Sequence, residues 1–291
     1  DTTKPYYRAG HVWIYREDSG YDISSWDSPD LKKGVIGLVD KSPVTQALNA
    51  NGLMANARPY RIQRDLTRSP GEPVEDVISG KIDVAVHSLK DMESLERKEL
   101  EVLAYIERND PRDSLISVKY KSLAEINSGI IGSGSKRREL QLKLINKNIK
   151  IKSIRGNIDT RIQKVIDGQY DAIILALAGL KMLSLEKHVI EIFPTENFLP
   201  SVGQGIIAAQ CRKEDIKTKE LLSKINHKET KICAITERAF LKTIGGDCET
   251  AVGAHAAVEG NRIILEAELF SIDGAQRFYE KKSSKIENAK E

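Results

Sequence analysis

Ile82-Asp83-Val84-Ala85-Val86-His87-Ser88-Leu89-Lys90-Asp91 starts as a run suited to a buried strand and ends abruptly in polar and charged side chains. Strands covered on both faces read as near-continuous apolar runs, and open α/β sheets gather their ligand contacts where such strands stop. Comparable runs occur at Gly34–Leu38, Gly129–Gly132, Ile149–Ile154 and Ala172–Ala176, with helical patterns between several of them. Arg137 to Lys147 and Arg161 to Gly168 are the clearest of these helices, and the second ends at a glycine able to cap it. This alternation predicts α/β architecture built on open, doubly wound sheets.

Downstream the pattern changes. Leu199-Pro200-Ser201-Val202-Gly203-Gln204-Gly205 is rich in Gly and Pro and reads as an inter-domain crossing. Helices are expected from about Lys217 to Asn226 and from Thr236 to Thr243. Gly253–Val258, Arg262–Ser271 and Ala275–Lys281, separated by turns at Glu259-Gly260-Asn261 and Asp273-Gly274, then form an antiparallel meander. The expected organisation is an appended segment over residues 1–33, one α/β domain over 34–107 and 204–224, a second over 112–199, and a small α+β domain over 228–291. The first segment holds both tryptophans, Trp13 and Trp26, without a sustained period.

Composition excludes several function classes. The 45 basic residues against 42 acidic ones give a net charge of only +3, without the basic stripe of a nucleic-acid-binding domain. Neither a secretory segment nor a membrane span is visible. Cys211, Cys233 and Cys248 are odd in number and lack CxxC spacing, which argues against a disulfide framework or a zinc site and for a reducing compartment.

The residues that carry chemistry are a thiol, a carboxylate and several guanidinium groups. Cys248 lies in Gly245-Gly246-Asp247-Cys248-Glu249-Thr250, where the glycines leave room for a bulky adduct, whereas Cys211 and Cys233 sit beside apolar residues and read as small buried hydrophobes. Asp91 at a strand end is read either as a helix N-cap or as a carboxylate that stabilises positive charge. Arg137, Arg138, Arg155 and Arg161 suit paired, charge-assisted binding of carboxylates, and Gly132-Ser133-Gly134-Ser135 places free N–H groups before a helix. Together they point to covalent chemistry on a polyanionic ligand.

These segments also carry a family resemblance. Val86-His87-Ser88-Leu89-Lys90-Asp91, Arg108-Asn109-Asp110-Pro111-Arg112-Asp113, Ser135-Lys136-Arg137-Arg138, Ser153-Ile154-Arg155-Gly156-Asn157 with Thr160-Arg161, Ala176-Leu177-Ala178-Gly179-Leu180, and the Leu199–Gly205 stretch resemble the porphobilinogen deaminase (hydroxymethylbilane synthase) family, in the family's order from about Ile82 to Ala256. The resemblance implies two α/β domains similar to type II periplasmic binding proteins plus the small α+β domain. It also implies a dipyrromethane cofactor joined by a thioether to Cys248, no metal, and a transferase that assembles four porphobilinogen units into the linear tetrapyrrole hydroxymethylbilane. Asp91 then becomes the catalytic carboxylate. Ser42, Ser88, Lys90, Ser135, Arg137, Arg138, Arg155, Arg161 and Gln204 become contacts to cofactor or substrate, while His87 stays open between ligand contact and buried hydrogen-bonding residue. A monomer working in cytoplasm or plastid, with no nucleic-acid or membrane partner, completes the expectation.

The chain departs from the family pattern in places. Val39-Asp40-Lys41-Ser42 stands where the family has an arginine in a Thr-Arg-x-Ser motif, and Met182 stands where another arginine is expected, with Lys181 beside it. Residues 43–81 are shorter than in the family, with only Pro73–Ser79 resembling the end of its Phe-x-Lys-Glu-Leu helix, and the chain stops at Glu291 before a closing helix. These departures support a second reading, an impaired or non-catalytic homologue that binds a pyrrole or its cofactor; the shared architecture permits a third, an anion-binding module of the periplasmic-binding type, against which Cys248 and Asp91 count.

Overall fold

The computed structural model of the chain describes residues 72–92, 97–246, 250–271 and 273–289, together with the backbone of strands β1 (Ile36–Val39) and β2 (Ala57–Tyr60). The segment expected over residues 1–33, the departure at Asp40, and the site residues Ser42 and Cys248 lie outside the described residues. The chain divides into two compact units. One comprises residues up to Val86 with Arg97–Leu103 and Ala209–Ile225; the other comprises His87–Glu96, Ala104–Ala208 and Asn226–Glu291.

In the first unit β1 and β2 pair in parallel, Ile36 opposite Ala57. Helix α1 (Glu72–Ile78) precedes β3 (Val84–Ser88), and β3 belongs to a three-stranded sheet in the order β3-β10-β4, with β4 at Leu100–Tyr105 and β10 at Ile207–Arg212. Each of these three strands begins in one unit and ends in the other. Val77, Ala85 and Leu100 form a small core. Arg212, at the end of β10, donates to the carbonyls of Val77 and Ile82 at 2.9 and 2.8 Å and to Asp83 Oδ1 at 2.6 Å. One guanidinium therefore fixes the end of α1 and the start of β3, a use of its rigid fork that a lysine would not reproduce. Helix α5 (Ile216–Ile225) follows, its first turn closed by Asp215, whose Oδ1 accepts from the Thr218 N–H at 3.1 Å.

The second unit holds a five-stranded sheet in the order β7-β6-β8-β5-β9. Strands β6 (Ile130–Gly132), β7 (Lys150–Lys152) and β8 (Ala172–Ala176) are parallel, as the sequence runs suggest, whereas β5 (Asp113–Ile116) lies antiparallel between β8 and β9 (Val189–Ile192). Alternation puts Leu115 and Ile174 in one core and Ile116 and Ile173 in another, so both faces of the sheet are covered. Helix α2 (Lys136–Ile145) contributes Leu142 to the first core and α3 (Ile158–Ile166) contributes Ile162 and Val165 to the second. The expected glycine cap closes α3: Gly168 adopts φ +72, and the N–H groups of Gly168 and Gln169 donate to the carbonyls of Val165 and Lys164. A short helix α4 (Leu177–Met182) continues from β8.

The C-terminal part of this unit is α6 (Lys228–Thr243) packed on the antiparallel meander β11 (Val252–Glu259), β12 (Arg262–Phe270) and β13 (Arg277–Lys285). Helix α6 starts eight residues before the expected Thr236, because its cap is His227, whose Nδ1 accepts from the Thr230 N–H at 3.3 Å. Strand β13 is the exposed edge and carries Lys281, Lys282 and Lys285, charges that discourage pairing with another chain.

Glu237, fully buried in α6, ties these parts together. Its carboxylate accepts from Arg108 at 2.6 Å, from the Gly203 N–H at 2.7 Å and from the Ala256 N–H at 2.8 Å. Removing one partner of a buried ion pair leaves the other charge uncompensated, so Glu237→Ala is expected to lower unfolding stability by about 3–5 kcal/mol, read by urea denaturation. A loss within experimental error would show that Arg108 and the two amides find other partners.

Candidate functional site

Strand β3 runs into the 3-10 turn Leu89–Asp91, with Ser88 as its N-cap residue making no side-chain cap bond. Leu89 anchors the turn: it is buried, and its N–H donates to the Ile206 carbonyl at 2.9 Å. Gly203 makes this approach possible, for it adopts φ +73 and a Cβ there would stand 2.9 Å from Leu89 Cγ. The residues beside Leu89 are thereby held in place. Lys90 is half-buried and Asp91 is exposed as the third residue of the turn. Burial pushes the Lys90 ammonium down; Asp91 and Asp113 push it back up, and Arg138 and Arg137 lower it further. The five groups therefore share one electrostatic field.

At its centre is Asp113, the first residue of β5 and fully buried. Its Oδ2 accepts from Arg137 at 2.7 Å; its Oδ1 accepts from Arg138 at 2.7 Å and from Gln204 Nε2 at 2.9 Å. Burial alone would raise this carboxyl, but Arg138 and Arg137 outweigh it and hold it well below the usual carboxylate range. Helix α2 delivers both arginines from its first turn. Ser135 caps that turn, its Oγ accepting from the Arg138 N–H at 3.4 Å. Arg137 also donates to the Leu199 carbonyl at 2.5 Å, and Arg138 to the Ile174 carbonyl at 3.2 Å. Gln204 donates a further bond to the Pro111 carbonyl at 2.7 Å.

Arg161, half-buried near the start of α3, donates to the Gly156 carbonyl at 2.8 Å; burial and then Arg138 lower its affinity for a proton. Arg155 is exposed. Lys181, beside Met182, is paired with Asp110 at 2.9 Å, and Arg112 holds the same carboxylate at 2.7 Å. Cys211 and Cys233 are buried, and burial pushes both thiols up to about 11.

The structure thus brings Arg137, Arg138 and Gln204 onto Asp113, with Lys90 and Asp91 in the same electrostatic field and Arg161 close enough to Arg138 to feel its charge. One donor of this cluster, Arg138 Nε, is buried without a hydrogen-bond partner. A cluster with paired guanidinium groups suits an anionic ligand. Among the described residues no group of His, Cys, Asp and Glu is placed to hold a metal, and no helix is long and apolar enough to cross a membrane. Asp113 and Glu237 received no role from the sequence, although Asp113 ends the quoted Arg108–Asp113 motif.

Residues 72–220 match the family model "Porphobilinogen deaminase, dipyromethane cofactor binding domain", and residues 231–291 match "Porphobilinogen deaminase, C-terminal domain". The chain belongs to the porphobilinogen deaminase family. Porphobilinogen deaminase of Coxiella burnetii (strain Dugway 5J108-111) is 45% identical over 192 residues, 66% of this chain and 62% of that protein; the one from Syntrophomonas wolfei is 38% identical over 205 residues, 70% and 67%. The chain therefore spans a little under two thirds of the Coxiella relative it matches. Among solved structures, a periplasmic sulfonate-binding protein from Methylobacillus flagellatus aligns over 71% of this chain and 63% of its own at 14% identity, with a TM-score of 0.35.

The Asp113 carboxyl has a folded pKa below its unfolded value, so its contribution to stability is present above pH ~4 and is lost as pH falls toward the folded value. Asp113→Asn is expected to destabilise the chain at pH 7, and its deficit relative to wild type should shrink progressively below about pH 4. Urea midpoints across that range check this, and a deficit independent of pH would mean that packing rather than charge is lost.

Proposed function

We propose that the chain acts as a hydroxymethylbilane synthase in the cytoplasm: it joins porphobilinogen units, with loss of ammonia at each step, into a linear tetrapyrrole. The observation that carries this reading is the arginine pair on Asp113 in the same electrostatic field as Lys90, which adjoins an exposed carboxylate on Asp91. Porphobilinogen bears an acetate and a propionate, and a growing chain multiplies them. Arg137 and Arg138 share the single carboxylate of Asp113, and pyrrole carboxylates would add the negative charge that the neighbouring Lys90 and Arg161 can also meet.

Arg161 and Lys90, neither bonded to Asp113, hold carboxylates; Arg137, Arg138 and Gln204, all engaged by Asp113, set the cluster's shape and its charge. Ser88, Ser135, Arg155 and Ser42 complete the proposed contacts. A dipyrromethane tethered through a thioether at Cys248 would supply the terminal pyrrole carbon from which the product grows. Cys211 and Cys233, with thiols pushed up to about 11 by burial, are poorly suited to that tether, which supports Cys248 by elimination. Asp91 faces the chemistry: when an aminomethyl pyrrole loses ammonia, positive charge develops over the ring N–H, and a carboxylate within reach stabilises it and takes up the proton released on coupling. Most of the catalysis is positioning and electrostatics.

Asp91→Asn keeps shape and an acceptor but deletes the charge. Single-turnover ammonia release is expected to fall by roughly two to four orders of magnitude while the covalent adduct, counted by intact mass, persists. Release at the wild-type rate would demote Asp91 to a structural residue. Cys248→Ser is expected to abolish the adduct, whereas Cys211→Ser and Cys233→Ser retain it; an adduct surviving on Cys248→Ser would refute the assignment.

A further inference from the structure

Arg137 is held by more than Asp113. Its second terminal nitrogen donates to the Leu199 carbonyl at 2.5 Å and to Gln141 Oε1, one turn along α2, at 3.3 Å. An amide side chain presents an oxygen on one side and an NH2 on the other, so the face Gln141 turns to Arg137 depends on its remaining neighbours. Gln141 Nε2 donates to the Leu199 carbonyl at 2.9 Å and to Glu268 Oε1 on β12. An ionised carboxylate can only accept. Glu268 therefore draws the amide nitrogen toward β12 and leaves the amide oxygen for Arg137. Glu268 itself is 2% exposed, and Arg277 of β13 donates to its other oxygen at 2.9 Å. The Glu268 charge also favours the charged form of Arg137, which burial opposes.

We infer that Glu268 is a positioning residue for the anion-binding cluster: through Gln141 it fixes the Arg137 guanidinium, and so couples the β11–β13 sheet to the arginines of α2. The inference rests on the reading of that cluster as the site for pyrrole carboxylates. It makes the meander a participant in setting the site, since the carboxylate that orients Gln141 belongs to β12. A chain of hydrogen bonds that merely packs a sheet against a helix would need neither a fixed amide direction nor a charge.

The test follows the rate at which unloaded protein gains the mass of the covalent adduct after addition of porphobilinogen, with thermal midpoints recorded for each variant. Gln141→Met retains the volume but offers Arg137 no acceptor, and loading is expected to slow about ten-fold. Gln141→Glu sets two carboxylates face to face and should slow loading at least as much. Combining Gln141→Glu with Glu268→Gln reverses the polarity of the bond while leaving Arg137 an acceptor, and loading is expected to be faster than in Gln141→Glu alone but below wild type, because the Leu199 carbonyl loses its donor from position 141. Folded Gln141→Met that loads at the wild-type rate overturns the inference. So does a swapped pair whose midpoint recovers while its loading stays as slow as Gln141→Glu alone, and this arm decides the matter even where Gln141→Met does not fold. Wild-type chain that never gains mass refutes the functional reading instead.

Discussion

Two guanidinium groups taken out of water on one helical turn need a counter-charge in the same place, and Asp113 is the carboxylate placed to serve both. Isolated buried charges cost several kcal/mol each, so the Arg137–Asp113–Arg138 arrangement exists only if β5 and α2 arrive in register. Everything around the candidate site inherits that constraint. Strand β5 must begin with its aspartate inside the protein, α2 must be capped at Ser135 so that both arginines fall on its first turn, and Gln204 must reach in from the Leu199–Gly205 stretch to satisfy the remaining acceptor position. The antiparallel placement of β5 between β8 and β9 follows the same logic, because it sets Asp113 opposite Ala176, at the end of β8.

The polar interior is graded. Glu237 collects one guanidinium and two backbone N–H groups, which leaves its charge fully compensated and its role structural. Asp113 collects two guanidinium groups and remains outnumbered, with Lys90 in the same field. A compensated carboxylate stabilises a fold; an outnumbered one leaves a local demand for negative charge. That contrast separates a packing feature from a binding feature in a region where both are built from the same residue types.

Much of the architecture was legible in the sequence because it is written in period and punctuation. The runs that became β3, β6 and β8 are continuous and apolar, β7 alternates lysine with isoleucine, the meander is marked by Gly260 and Gly274 in its two turns, and Gly168 closes α3 as its position suggests. Strand β5 was not legible, since it is four residues long and opens with a charged side chain whose burial depends on α2. The first half of α6 was missed because a histidine caps it where Ser, Thr, Asp or Asn would be the usual signal. At the site, motif order picked out Asp91, Lys90, Arg137 and Arg138, but nothing local distinguishes an arginine whose guanidinium faces a ligand from one committed to Asp113. Likewise, the pairing of Lys181 with Asp110 joins residues 71 positions apart, which no reading of Lys181 next to Met182 could supply.

The strands β3, β4 and β10, each shared by the two units, have a kinetic consequence. The first unit is drawn from three separated stretches of chain, the last of them residues 209–225, and the whole of Ala104–Ala208 intervenes. During synthesis, β3 and β4 emerge before β10, the strand that pairs with each of them in the described sheet, and about a hundred residues must follow before it is available. The five-stranded sheet, whose strands all lie between Asp113 and Ile192, is by contrast complete within a single stretch. Local contacts are therefore available early to the five-stranded sheet, whereas β3 and β4 gain their partner β10 only after about a hundred further residues.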